Sequence, residues 1–96
     1  MLESKIEAEF KKCVEDIGGL AWKFVSPGTR GVPDRLAIFP DDHTIYVELK
    51  KPGEKPEPLQ AKRHEQLRDR GHQVYVIDTI EGVHAFIREV KAKYDL

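Results

Sequence analysis

Ninety-six residues, 40% hydrophobic and 34% charged, describe one small globular domain and exclude a disordered tail or a collagen-like rod. Sixteen Lys and Arg against seventeen Asp and Glu leave a net charge of −1, so the chain is not a globally basic nucleic-acid binder. The single cysteine, Cys13, excludes an internal disulfide and a CxxC zinc site. No apolar run approaches the ~20 residues of a bilayer-spanning helix. The charged opening Met1–Lys5 lacks a signal-peptide pattern, and a cytoplasmic setting is expected.

Leu2, Ile6, Phe10, Cys13, Val14 and Ile17 recur at helical spacing, and Gly18-Gly19 supplies the stop. Leu20 to Val25 reads as a strand with Leu20, Trp22 and Phe24 on one face. Ser26 to Gly31 is a loop, broken by Pro27 and two glycines. Arg35 to Phe39 is a second strand, apolar on both faces and therefore central. Pro40 to His43 turns the chain into a third strand, Thr44 to Lys50. A polar, proline-rich loop from Pro52 leads to Pro58, which suits the first turn of a helix reaching about Arg70. The apolar face of that helix is thin, mainly Leu59, Ala61 and Leu67. Gln73 to Ile77 reads as a short strand buried on both faces. Asp78 and Glu81 form a capping-box pattern for a last helix striped by Ile80, Val83, Ile87, Val90 and Tyr94. The order is αβββαβα, an α/β domain over residues 1–96 with a mixed four-stranded sheet flanked by helices. The crossover through the second helix makes strands three and four parallel.

The chemistry gathers where strands two and three meet. Pro33-Asp34 opens strand two, and Glu48-Leu49-Lys50 ends strand three. Side chains alternate, so Ile45, Val47 and Leu49 share one face and Tyr46, Glu48 and Lys50 the other. In an antiparallel hairpin Asp34 lies near Glu48. Two converging carboxylates repel, and a hard divalent cation with oxygen ligands relieves that repulsion. The Leu49 carbonyl is a further candidate ligand. Lys50 can orient a water or stabilise charge on a phosphate, which suits phosphodiester hydrolysis.

Gly31-Val32-Pro33-Asp34, Glu48-Leu49-Lys50 and Gln60 together resemble the PD-(D/E)xK nuclease superfamily. Within it the chain is most similar to the virus-type replication-repair nuclease (VRR-NUC) domain. Gly18-Gly19-Leu20, Lys23 to Gly28, Gly31 to Leu36, Val47 to Lys50 and Pro58-Leu59-Gln60 fall in the family's order. The likeness spans about residues 5–88. It implies the restriction-endonuclease-like core and a DNA endonuclease using Mg²⁺ or Mn²⁺. Asp34 and Glu48 would be metal ligands and Lys50 the catalytic lysine. Gln60 would be the site glutamine of the following helix, and Glu7 the helix-one carboxylate, with Glu3 one turn away as the other choice. The family's small stand-alone members resemble Holliday-junction resolvases, which implies branched DNA as substrate, a homodimer, no organic cofactor and a bacterial or phage setting. Glu57 departs from the small hydroxyl residue that often precedes Pro58.

Each residue also has a plainer reading. Asp34 suits a turn after Pro33, and Glu48 and Lys50 suit a solvated strand face. Gln60 can cap its own helix. Glu7 can pair with Lys11 one turn on. Ser26, Thr29 and Arg30 are candidates to grip phosphate, as are Lys51, Lys55, Lys62 and Arg63. His43, His64, His72 and His84 show no metal-ligand spacing and read as surface or boundary residues. Trp22 and Tyr46 are assigned to the core or the wall of the site, and Cys13 to inert core.

Overall fold

The structure is a computed structural model and describes residues 3–96. Leu2, expected on the first helix's stripe, lies outside the described residues. Seven elements follow the expected order: α1 (Glu3–Asp16), β1 (Leu20–Lys23), β2 (Arg35–Phe39), β3 (His43–Leu49), α2 (Pro58–Asp69), β4 (Val74–Ile77) and α3 (Ile80–Tyr94). The sheet runs β1-β2-β3-β4. β1–β2 and β2–β3 are antiparallel, and β3–β4 are parallel across the α2 crossover.

One face of the sheet carries the core. Ile6, Phe10 and Val14 of α1 and Val83, Phe86 and Val90 of α3 bury against Ala37, Phe39, Ile45, Val47 and Leu49. Phe86 is absent from the stripe read in the sequence, yet it is buried and its ring sits 6.0 Å from Phe10 and 4.8 Å from Tyr75. It follows Val83 by three, so the buried stripe is Val83, Phe86 and Val90, while Ile80 and Ile87 flank it.

The turns are set by local chemistry. Asp41 and Asp42 take φ of 63° and 65° in the tight β2–β3 connection, a region aspartate tolerates better than most residues. Gly19 follows α1 where a Cβ would fall 2.7 Å from the Phe39 ring and 2.8 Å from Val14. A methyl group there must displace packed core atoms. Gly19→Ala is expected to cost about 1–3 kcal/mol, read as a lower urea midpoint with unchanged slope.

Four expectations need correction. The α3 N-cap is Thr79, whose hydroxyl accepts from the Gly82 amide at 2.8 Å. Asp78 instead accepts from the Gly53 amide at 3.0 Å and ties the β3–α2 loop to the end of β4. β4 is an edge strand, so Val76 stays 38% exposed rather than buried. Trp22 is 56% exposed, because α2 packs near β4 and leaves the β1 end of its face uncovered. His64 is neither surface nor boundary: it is the buried residue of α2.

Candidate active site

The second face of the sheet, opposite the core, holds the chemistry. Extending the β2–β3 register one step past Arg35–Val47 sets Asp34 opposite Glu48. Asp34 is anchored from three sides. Its Oδ1 accepts the Leu49 amide at 3.0 Å. Its carbonyl accepts the Phe24 amide at 2.9 Å and Arg35 Nη1 at 3.0 Å. Arg35 Nη1 also lies 3.5 Å from Asp34 Oδ2.

Glu48 has no comparable anchor. It is 3% exposed, and among the described residues its Oε1 has no hydrogen-bond partner. The nearest cationic candidate among them is His64, whose Nε2 stands 3.5 Å away and likewise finds no hydrogen-bond partner among the described residues. Burial, then the charges of Arg68 and Lys50, push the His64 pKa down, so the ring is held neutral. Burial, then the Asp34 charge, push Glu48 up to about 7, against the opposing pull of Lys50. Asp34 is raised as well, first by burial; its Leu49 hydrogen bond and Arg35 oppose the rise.

Lys50 leaves the end of β3 and donates from Nζ to Gln60 Oε1 at 2.8 Å. The same oxygen accepts the Glu57 amide at 2.8 Å. Gln60 therefore caps α2 and holds Lys50 at once. Glu57 as the N-cap residue does not loosen this arrangement, since its backbone N–H, common to every residue but proline, makes the bond.

The two helix-one carboxylates part company. Glu7 Oε1 is gripped by Arg35 Nη2 at 2.9 Å and lies 3.8 Å from Lys23 Nζ. Glu3 adds a negative charge that raises the pKa of both Asp34 and Glu48. Arg35, 8% exposed, bridges Glu7 to Asp34 and was not singled out from sequence; nothing in a strand-opening arginine announces that role.

The phosphate-contact candidates lie in the β1–β2 loop, the β3–α2 loop and α2. Thr29 and Arg30 are exposed in the β1–β2 loop, and the Thr29 amide bonds to the Ser26 carbonyl at 3.1 Å. Arg63 Nε donates to the Arg30 carbonyl at 2.9 Å and pins that loop to α2. Lys51, Lys55 and Lys62 are exposed. On the far side of the sheet, His84 Nε2 meets Glu9 Oε2 at 2.6 Å and Cys13 Sγ donates to the same oxygen at 3.4 Å. That trio joins α1 to α3, and spacing along the chain did not reveal it.

The chain has clear relatives, although no protein-family model matches it. A protein of Acyrthosiphon pisum secondary endosymbiont phage 1, named "Putative nuclease p44", is 53% identical over 77 residues, covering 80% of this chain and 83% of that protein. A solved structure described as a "VRR_NUC domain" is 34% identical and superposes with a TM-score of 0.85, over 90% of this chain and 94% of that one. Among the described residues no helix is long and apolar enough to cross a membrane. With the αβββαβα order and the mixed sheet also in agreement, the chain belongs to the VRR-NUC family of nucleases.

Proposed function

We propose that the protein is a divalent-metal-dependent DNA endonuclease selective for branched DNA such as four-way junctions. The observation that carries this reading is the unpartnered, buried oxygen of Glu48 beside Asp34, with Lys50 held close by Gln60. A buried acceptor without a donor is costly, and a cation is the natural complement. The donor set is all oxygen, which suits Mg²⁺ or Mn²⁺ rather than a thiolate-seeking ion. Asp34, Glu48 and the Leu49 carbonyl would hold it. Of the helix-one pair, the Glu3 charge already acts on both ligands, whereas Glu7 is engaged by Arg35 and Lys23. Glu3 therefore fits a ligand role better, and Glu7 fits the positioning of Arg35.

When bound, the ion supplies a lowered pKa for an attacking water and a counter-charge for the phosphate. Lys50 brings a positive charge to the same place, where charge builds on the phosphorus oxygens. Gln60 fixes its ammonium, so little reorientation is needed during reaction. The surrounding candidates, Arg30, Lys51, Lys55, Lys62 and Arg63, are basic and suited to phosphates. Phosphate contacts position DNA without reading its sequence, which favours selection by shape. A homodimer would offer two sites to the two strands of a symmetric junction.

Cleavage of labelled four-way junction, flap, nicked duplex, linear duplex and single strand tests the proposal. Each DNA is incubated with Mg²⁺, Mn²⁺ or EDTA. Symmetric junction cleavage with either metal and none in EDTA is the expected result. Cleavage of flaps or single strands instead would keep the chemistry and overturn the substrate. Cleavage in EDTA would overturn the metal.

A further inference from the structure

Beside the carboxylates lies a second feature that their chemistry does not use. A cavity of about 370 Å³ opens between the β1–β2 loop, β3 and the outer turns of α2. Its apolar lining is Phe24, Val32, Tyr46 and Leu67; its polar lining includes Gln66, Arg63 and Arg70. Tyr46 shares a strand face with Glu48, about 7 Å along β3. Phe24 bonds through its amide to Asp34. The cavity and the candidate metal ligands are therefore neighbours on one sheet face.

The wall opposite the sheet is built rather than incidental. Gly31 takes φ of +86°, and a Cβ there would fall 2.8 Å from Leu59, so the loop lies close against α2. The Arg63–Arg30 bond closes the same seam. The Phe24 and Tyr46 rings stand 6.0 Å apart, tilted by 51°. Arg63 Nη1 occupies the Gln66 carbonyl at 3.0 Å, which leaves the Gln66 amide hydrogens for another acceptor. Arg70 Nη1 rests on the Gln66 backbone carbonyl at 3.0 Å, with its other donors spare.

A ligand for this cavity has a flat apolar body, hydrogen-bonding edges and negative charge at its mouth. We infer that it receives one unpaired nucleobase of the DNA strand, stacked against Tyr46 and Phe24, while Arg63 and Arg70 hold the flanking phosphates. Aromatic stacking beside basic side chains is how proteins hold unpaired bases without reading sequence. The volume lies at the small end of the roughly 300–1,000 Å³ range of ligand pockets, room for a base and its sugar. The inference rests on DNA being the substrate. It deepens that reading: the branched feature selected is one that frees a base next to the scissile phosphate.

The test uses duplexes carrying a single 2-aminopurine, either unpaired or paired with thymine, and the full chain in EDTA and in Ca²⁺. The unpaired probe is expected to lose at least threefold in emission on binding, and its DNA to bind at least tenfold more tightly than the paired control. Tyr46→Leu should abolish the quenching and Tyr46→Phe should keep it. Arg70→Glu, at an exposed position that does not threaten folding, should weaken binding of the unpaired DNA at least fivefold. Unchanged emission, equal affinity for both DNAs, quenching that survives Tyr46→Leu, or no binding by either DNA would each overturn the inference. Should Tyr46→Leu not fold, Arg70→Glu and the wild-type comparison decide it. Cleavage on adding Mg²⁺ without quenching would leave the nuclease reading standing and remove the cavity's role. Quenching without cleavage would do the reverse.

Discussion

Replacing Lys50 with alanine is expected to lower DNA cleavage by roughly 10²- to 10³-fold while leaving the fold and DNA binding in place. The size follows from removing one preorganised charge aimed at a developing anion. Lys50 is half-buried at the end of β3, and its ammonium is held by Gln60 at 2.8 Å, so the charge is not free to wander. Gln60→Ala should give a smaller loss, about tenfold, because Lys50 remains but loses its fixed direction. The Gln60 change also removes the acceptor for the Glu57 amide, so it should cost on the order of 1 kcal/mol of stability. Lys50→Ala should not carry that penalty. Single-turnover cleavage and thermal unfolding of both variants separate the two roles. Full activity in Lys50→Ala would remove Lys50 from the reaction, and equal stability in Gln60→Ala and wild type would remove the capping role of Gln60.

Glu48→Gln should stabilise the metal-free protein at alkaline pH. The Glu48 carboxyl is pushed up to about 7 from an unfolded value near 4.5. Between those values the folded state binds more protons than the unfolded one, so stability falls as pH rises from about 4.5 to 7. Above pH 7 the full cost is present. At ~1.4 kcal/mol per pH unit it comes to about 3 kcal/mol, and Glu48 is too buried for solvent to screen much of it. His64, held neutral, contributes no compensating charge. Glutamine removes the ionisation at nearly constant volume. In EDTA at pH 8 the variant should therefore melt on the order of 10 °C higher than wild type, with no such gain at pH 4.5. Mg²⁺ should raise the wild-type melting temperature and leave the variant nearly unmoved. A variant that melts no higher than wild type at pH 8 in EDTA would show that Glu48 is compensated by something other than a cation. The site thus holds two carboxylates in a place that disfavours their charge, a loss of stability of the kind functional sites commonly carry.

Much of this was legible in the chain because periodicity and turn chemistry are local. Ile6, Phe10 and Val14 report α1, and the alternation of Ile45, Val47 and Leu49 reports β3. The pairing of Asp34 with Glu48 follows from a tight hairpin, since register is set by turn length and strand pattern. Other features were not legible, because they depend on which elements cover which face. Trp22 alternates like a core residue, yet α2 packs near β4 and leaves it exposed. Val76 is apolar like its neighbours, but β4 lies at the edge. His64 sits in a polar helix and looked like surface; burial came from α2 laying that one side against Glu48.

Short-range patterns along the chain sufficed for the order of elements, the hairpin, the Asp34–Glu48–Lys50 constellation and the resemblance to the family. These rest on spacings of a few residues or on one tight turn, where chain geometry leaves few alternatives. Tertiary packing set how the constellation is held. It gave Arg35 to Glu7, left Glu3 acting on the two carboxylates, and used one Gln60 oxygen for both a helix cap and a lysine. It also closed the β1–β2 loop over α2 and so made a cavity next to the site. The Lys50–Gln60, Arg35–Glu7 and Arg63–Arg30 contacts join residues 10 to 33 positions apart, and no periodicity encodes them. They follow from packing helices on both faces of a twisted sheet, which sets distances that the chain alone leaves free.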